Sequence, residues 1–407
     1  MRRGAFIGTA AALAAANALP VCGEPLPRAN VELGDDVLLR EALSGLEGQT
    51  VGIITNQTGV TSRLESIVDA LHRQGTVKIK AVFAPEHGFR GDRPAGAAVG
   101  TYTDAQTGLP VYSLYGATRH PSEAMLEGID VLLFDIQDVG SRAYTFVSTM
   151  AYAMQSAKAF GKDFWVLDRP NPVGGDVVEG PVLEPAYASF IGLYPIAMRH
   201  GMTVGELATM FNDRFAIKSK LRVVRMRGWQ RAQIWPDTGL QWVITSPNVP
   251  TWQTTFVLLC TGLIDNAGVN NGVGFTKPFF YAGTPDVDGY RLARRLNARN
   301  LPGVWFRPAA WSPTAGFWKG RDLRGVELDV FDERRFAAVR TAVEILVAVR
   351  DLFPAALAVK AAELDRDWGT ASLRRGLAEG KSASAIVDGW SDAVERFEAM
   401  RKPYLLY

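Results

Sequence analysis

Four short runs in this 407-residue chain concentrate groups able to move protons or hold a polar ligand. They are Thr55-Asn56-Gln57-Thr58-Gly59, Pro85-Glu86-His87-Gly88-Phe89-Arg90, Asp135-Ile136-Gln137-Asp138-Val139-Gly140-Ser141-Arg142 and Asp168-Arg169-Pro170-Asn171-Pro172. Carboxylates set among amides and arginines are the apparatus of glycoside hydrolysis, in which a neutral acid protonates the leaving oxygen and a second group activates water or steadies the cation-like sugar. Glu86 is the leading candidate for the acid. It stands between Pro85 and His87-Gly88, where a strand gives way to a Gly-rich loop that can fix its carboxyl at a cleft. The other residues each have a structural reading of equal standing. Asn56 serves as a turn cap, Asp168 and Arg169 as an ion pair, and Asp135 as a buried group satisfied by backbone donors or by Arg142. His87 is expected to orient or hydrogen-bond rather than bind a metal, because the histidines His72, His87, His120 and His200 show no ligand spacing.

The elements that must position these runs are legible from hydrophobic patterning. Buried-strand runs are expected at Thr50 to Thr55, Val77 to Ala84, Val131 to Ile136 and Phe164 to Leu167, with helices at Ser62 to Arg73, Thr145 to Phe160 and Thr203 to Phe215. Thr203 and Glu206 have the spacing of a capping box. Strands alternating with helices imply parallel β-α-β units, right-handed crossovers and an open layered sheet. Ligands then sit beyond the carboxyl ends of the strands, which is where the four polar runs fall. Beyond about Pro250 a loop-rich stretch, Gly262 to Gly289, leads to a helix at Gly289 to Ala298, strands at Val304 to Phe306 and Val326 to Phe331, and a helix from Arg334 to Leu352. That pattern describes a second, smaller α+β domain.

Composition excludes several classes. The chain is 47% apolar and 21% charged, so it can bury a full core. Lys plus Arg is 44 against 42 for Asp plus Glu, which gives no electrostatic reason to expect nucleic acid or an acidic membrane surface as a partner. Two cysteines, Cys22 and Cys260, are too few for a disulfide framework. No Gly-x-Gly-x-x-Gly, Walker loop, Gly-x-Ser-x-Gly or His-Glu-x-x-His run is present. Residues 1–22 read as an export signal of the twin-arginine type: Arg2-Arg3, a short apolar run, and Ala16-Asn17-Ala18. The expected location is therefore periplasmic or at the cell surface, with no membrane span; a lipid tether at Cys22 is disfavoured by Leu19-Pro20-Val21 before it but stays open.

Together with Thr107-Gly108-Leu109-Pro110-Val111-Tyr112-Ser113-Leu114-Tyr115-Gly116, Arg199-His200-Gly201-Met202-Thr203 and Ser246-Pro247-Asn248-Val249-Pro250-Thr251, the four runs resemble the exo-β-N-acetylmuramidases known as the NamZ family. The resemblance covers about Val31 to Phe331 and, in outline, continues to Tyr407. It implies a Rossmann-like catalytic domain over residues 30–250, a smaller α+β C-terminal domain over 251–407, and a site in the cleft between them. It implies release of terminal N-acetylmuramic acid, or a related amino sugar, from the non-reducing end of peptidoglycan fragments, with no metal, nucleotide or other cofactor. Glu86 falls at the position of the general acid, with Asp135 and Asp138 as companion carboxylates. Asn56, Gln57, His87, Arg90, Arg142, Tyr144, Asp168, Arg169, Arg199 and His200 are the substrate-binding candidates. Among them Arg90, Arg142, Arg169 and Arg199 could receive the lactyl carboxylate, since an Arg fork matches carboxylate geometry. One loop departs from the family pattern: two glutamates are replaced by Asp265 and Asn271 and an arginine by Val273, between Asp265 and Phe275. That departure keeps an alternative in view, a non-catalytic cell-wall glycan-binding protein on the same fold.

Overall fold

Short β-rich runs become the strands of the first part of the chain. In the computed structural model, which describes residues 30–93, 96 and 100–407, these are β1 (Thr50–Thr55), β2 (Lys78–Ala84), β3 (Tyr102–Thr103), β4 (Pro110–Ser113), β5 (Val131–Asp135) and β6 (Asp163–Leu167). A two-stranded ribbon, β7 (Glu179–Val182) with β8 (Ala197–Arg199), precedes β9 (Lys220–Val224). The main sheet has the order β3-β4-β2-β1-β5-β6-β9. Its pairings are parallel except at the edge, where β3 runs antiparallel to β4. The export segment and Cys22 lie outside the described residues.

The strand order reverses between β1 and β5. From β1 the chain moves to β2 and β4 on one side, then returns to β5 on the other, in register at Thr55 and Asp135. Diverging connections leave a crevice beyond the carboxyl ends of such a pair. Alternate side chains fill the two faces of the sheet. Ile54, Leu132, Phe134 and Phe164 pack under helices α2 (Phe146–Ala159) and α3 (Val204–Arg214), whereas Ile53, Leu133, Trp165 and Leu167 pack under α1 (Ile67–Gln74). The capping box at α3 is formed: Thr203 Oγ1 accepts from the Glu206 N–H at 3.2 Å, and Glu206 Oε2 accepts from the Thr203 N–H at 3.0 Å.

The second part of the chain builds a three-stranded antiparallel sheet from β10 (Tyr281–Thr284), β11 (Val304–Trp311) and β12 (Leu323–Val330), in the order β10-β12-β11. It packs with α4 (Gln253–Thr261), α5 (Gly289–Asn297) and α6 (Ala338–Leu352). Its core does not stop at the domain boundary. Val139, Val173 and Met198 from the first part are buried in the same cluster as Phe256, Leu346 and Val349. Each fully buried aliphatic side chain contributes about 1.5–3 kcal/mol, so burial of Val139 anchors the segment that carries Asp138. The chain end also returns to the first sheet: Arg401 Nη1 donates to the Gly201 carbonyl at 2.6 Å and the Leu406 N–H to Glu206 Oε1 at 2.8 Å.

Two helices begin later than patterning suggests. α1 starts at Ile67 rather than Ser62, because Leu64 has φ +63° and the Thr61 hydroxyl accepts the Arg63 and Glu65 N–H groups, which makes a turn instead. α6 starts at Ala338 rather than Arg334. Helix α4 has no counterpart in the sequence patterning. Its residues are buried almost all round, so it lacks the polar stripe that reveals a helix. Among the described residues no helix is long and apolar enough to cross a membrane.

Candidate active site

Glu86 is aimed by a tight turn. Immediately after β2 the Gly88 N–H donates back to the Pro85 carbonyl at 3.1 Å, and both His87 and Gly88 have positive φ, +73° and +79°. Glycine adopts that conformation freely, whereas for His87 it stores about 1–3 kcal/mol of strain, which persists only where the surroundings enforce it. His87 is buried, its Nδ1 3.1 Å from the Arg93 carbonyl. The result is a half-buried Glu86 carboxyl held at both oxygens. Oε1 accepts the Gly96 N–H at 2.9 Å and Oε2 faces the Thr145 hydroxyl at 3.1 Å. Tyr115, just past β4, also faces it: enclosure pushes the phenol pKa up, and the negative charge of Glu86 adds to the effect.

The switch-point strands supply the second carboxylate. The Gln137 N–H donates to Thr58 Oγ1 at 2.9 Å, and that hydroxyl donates to Asn56 Oδ1 at 2.6 Å, so β1 and β5 are stitched together beyond their last ladder bond. Gln137 Nε2 extends the stitch to the carbonyls of Asp138 and Pro170 at 2.8 and 2.7 Å. Gln57 Nε2 ties the crevice to the Ile244 carbonyl at 2.8 Å. Asp138 emerges from this frame with an asymmetric environment. Its Oδ2 accepts the Gly140 N–H at 2.7 Å and lies 3.3 Å from Nε2 of the wholly buried His200, while its Oδ1 is enclosed with no hydrogen-bond partner among the described residues. Asn56 Nδ2, Gln57 Oε1 and Gln137 Oε1 are likewise enclosed and unpartnered. Buried polar atoms without partners are uncommon in folded proteins, and a functional role is one of the reasons they persist. Tyr144 links the two carboxylates: its hydroxyl donates to Thr245 Oγ1 at 2.8 Å, and enclosure drives its pKa up, with the charges of Asp138 and of Glu86 both adding. The charges of Glu86 and Asp138 are therefore both felt at the Tyr144 phenol.

The remaining candidates named from the sequence are engaged elsewhere, and this corrects several expectations. Arg169 is buried and bonds both oxygens of Asp135 (2.5 and 2.8 Å), Asp35 Oδ2 (2.7 Å) and the Val60 carbonyl (3.0 Å). Asp135 thus belongs to a strand-locking ion network, and its partner is Arg169 and not Arg142. Asp168 accepts from the Arg169 and Gly205 N–H groups (3.0 and 2.8 Å), from Thr203 Oγ1 (2.8 Å) and from the Tyr407 hydroxyl (2.7 Å), so it anchors α3 and the chain end. Burial nevertheless raises its pKa to about 6. Arg142 turns away to the Asp367 carbonyl at 3.2 Å, where burial lowers its pKa to about 10. Arg199 pairs with Glu179 at 2.6 Å, and Arg90 clamps Asp69 and Asp104, each at 3.0 Å. Asn56 is an Asx turn, its Oδ1 receiving the Thr58 N–H at 2.9 Å, though its enclosed Nδ2 has no hydrogen-bond partner among the described residues. In the variant loop, Asn271 is consumed locally by the Thr261 carbonyl and the Val273 N–H, and burial raises the Asp265 pKa.

Sequence reasoning missed Tyr115, Thr145 and Thr245, which complete the surroundings of Glu86 and Tyr144. Tyr115 and Thr145 lie beside singled-out motif residues, but their hydroxyls carried no spacing signal of their own. No group of three or more His, Cys, Asp or Glu side chains among the described residues is arranged to hold a metal.

A 46% identical relative, the peptidoglycan β-N-acetylmuramidase NamZ of Bacillus subtilis (strain 168), aligns over 378 residues, 93% of this chain and 91% of that protein. Two crystal structures of DUF1343 family proteins from Bacteroides fragilis NCTC 9343 superpose with TM-scores of 0.88 and 0.77, at 38% and 28% identity. They cover 94% and 93% of this chain, and 100% and 99% of their own chains. The models of the N-terminal and C-terminal parts of exo-β-N-acetylmuramidase NamZ match residues 51–253 and 256–407, and the chain belongs to that family.

Proposed function

We propose that this chain is an exo-acting glycoside hydrolase that releases terminal N-acetylmuramic acid from the non-reducing end of peptidoglycan fragments, with Glu86 as general acid and Asp138 as the second carboxylate. The observation that carries the residue roles is that Asp138 Oδ1 has no hydrogen-bond partner among the described residues and Glu86 and Asp138 both bring their charge to Tyr144, while Asp135 and Asp168, at the same sheet edge, have every oxygen engaged. In this reading Glu86 delivers its proton to the glycosidic oxygen as the bond to the anomeric carbon breaks. Thr145 Oγ1 can accept from the protonated acid or donate to the carboxylate left behind, because a hydroxyl turns to suit. The unpartnered oxygen of Asp138 steadies positive charge at the anomeric centre or takes a proton from the attacking water. Arg90 and Arg169 are engaged by carboxylates, whereas Arg142 keeps Nε and Nη1, and Arg199 keeps Nε, without a hydrogen-bond partner among the described residues, so Arg142 and Arg199 retain donors for the lactyl carboxylate of the sugar. Export by the segment at 1–22 belongs to the same reading, since peptidoglycan lies outside the cytoplasm.

The test compares wild type with Glu86→Gln on two substrates, a muramyl disaccharide with a poor sugar leaving group and an aryl muramide with a good one. An acid matters most where the leaving group is poor. Glu86→Gln should lose most activity on the disaccharide and much less on the aryl glycoside. Equal losses on both would remove Glu86 from the acid role, and binding of wall fragments with no released sugar from wild type would mark a glycan-binding protein instead.

A further inference from the structure

His200 lies in a motif that marks it as a substrate-binding candidate, yet it is wholly buried. Its surroundings give it a different task. It follows directly on β8, where successive side chains point to opposite sides: Arg199 reaches Glu179 and the Val173 carbonyl, and His200 reaches Asp138. The Met202 N–H donates to His200 Nδ1 at 3.1 Å. A nitrogen that accepts cannot carry the hydrogen of a neutral imidazole, so Nε2 is the protonated one. The nearest acceptor for that hydrogen is Asp138 Oδ2 at 3.3 Å, a contact that falls short of a hydrogen bond, and Nε2 has no hydrogen-bond partner among the described residues. Contacts of this kind are usual in unliganded sites and tighten when substrate binds. The backbone behind the ring is held firmly, because the Gly201 carbonyl accepts from Arg401 Nη1 at 2.6 Å and also from Arg231. No Lys or Arg side chain within the described residues lies within 4.0 Å of Asp138, so its Oδ2 is bonded by the Gly140 N–H and flanked by the imidazole alone.

We infer that His200 is a positioning residue for the hydrolysis: its Nε2–H, together with the Gly140 N–H, occupies Asp138 Oδ2 and so leaves Oδ1 as the oxygen presented to the sugar. This rests on the reading of Asp138 as the second carboxylate. The ring itself touches no substrate. It acts by restricting the rotation of a carboxylate that otherwise has two equivalent oxygens and one backbone tether.

The experiment measures kcat and KM for disaccharide hydrolysis by wild type, His200→Leu, His200→Gln and Asp138→Asn, with a melting temperature for each. Removing an orienting partner of an essential group costs about 10- to 100-fold in activity. His200→Leu should lose that factor in kcat with KM changed by no more than about threefold, since a group acting only through another alters the chemical step and not uniform binding. His200→Gln, whose side-chain amide can place an N–H where Nε2 lies, should regain most of the loss. A His200→Leu kcat within twofold of wild type overturns the inference, as does a folded His200→Gln that is as impaired as folded His200→Leu. If His200→Leu does not fold, His200→Gln decides alone: kcat within tenfold of wild type supports the role and a larger loss refutes it. Asp138→Asn separates the two layers. Full activity in that variant removes the reading of Asp138, whereas an inactive Asp138→Asn beside fully active His200 variants leaves that reading standing and refutes the role of His200.

Discussion

Asp135 and Asp138 lie three positions apart at the end of one strand, and the fold treats them in opposite ways. Asp135 has both oxygens on Arg169, whose guanidinium also reaches Asp35 and the Val60 carbonyl. Asp138 has one oxygen bonded to a backbone N–H and flanked by the His200 imidazole at 3.3 Å, and the other without a hydrogen-bond partner among the described residues. Both are buried. A buried carboxylate with a full set of partners is bound into the scaffold and has nothing left to offer a ligand. One left incomplete at a strand-order reversal carries an unmet interaction that a substrate can satisfy. Residue type and burial do not separate the two; the count of satisfied oxygens does.

Substitutions should therefore fall into two classes with opposite readouts. The largest effects are on turnover: Glu86→Gln and Asp138→Asn should each lower kcat for the disaccharide by about 10²–10⁴-fold while shifting the melting temperature by no more than about 4 °C. Next comes Arg169→Met, which should cost about 3–5 kcal/mol in urea denaturation, because it strands two buried carboxylates, Asp35 and Asp135, without their shared counter-charge. An Arg169→Met protein as stable as wild type would erase the distinction between the two carboxylates. So would an Asp138→Asn protein that is strongly destabilised yet fully active.

The amino-acid order makes the frame legible and the partnerships much less so. β1 and the capping box of α3 are readable because a run of β-branched residues and a Thr-x-x-Glu spacing are local signals. Glu86 is readable for a similar reason, since Pro85 before it and Gly88 after it announce a turn at a strand end. Arg142 and Arg169 show the limit. Both stand in motifs beside acids, and both look equally suited to a substrate carboxylate, but their actual partners are Asp367, in the last third of the chain, and Asp35, more than a hundred residues upstream. Nothing local encodes such pairings. Tyr407 makes the same point from the chain end, where a residue with no motif around it reaches Asp168.

Asp168 sharpens the comparison through pH. Burial raises its carboxyl from the ordinary 3.8 to about 6, even against four donated hydrogen bonds. The folded state thus holds this proton more tightly than the unfolded chain does. The stabilisation from this group is complete below about pH 4 and is lost as pH rises through about 6, amounting to about 3 kcal/mol in all. Other carboxylates titrate in the same range, so the effect is read as a difference: the stability of wild type minus that of Asp168→Asn should fall by about that amount between pH 4 and 7. A flat or rising difference would show that the four hydrogen bonds outweigh desolvation and that Asp168 is as comfortably ionised as a surface acid.

The smallest effect concerns the phenol that completes this anchor. Tyr407 donates to Asp168 Oδ2 at 2.7 Å, accepts the Met226 N–H at 2.9 Å and packs edge-on against Trp229 with ring centroids 5.4 Å apart. Tyr407→Phe keeps the ring and removes both hydrogen bonds, so it should cost about 1–3 kcal/mol at neutral pH. Part of that cost must depend on the charge of Asp168, because a hydrogen bond to an ionised acceptor is roughly twice as strong as one to a neutral group. The loss of the Met226 partner does not depend on it. The penalty measured at pH 7.5 should therefore exceed that at pH 5, and in an Asp168→Asn background the two should converge. A penalty independent of pH in the wild-type background would mean that the chain end is held by Met226 and Trp229 alone, and that the carboxylate of Asp168 is fixed without it.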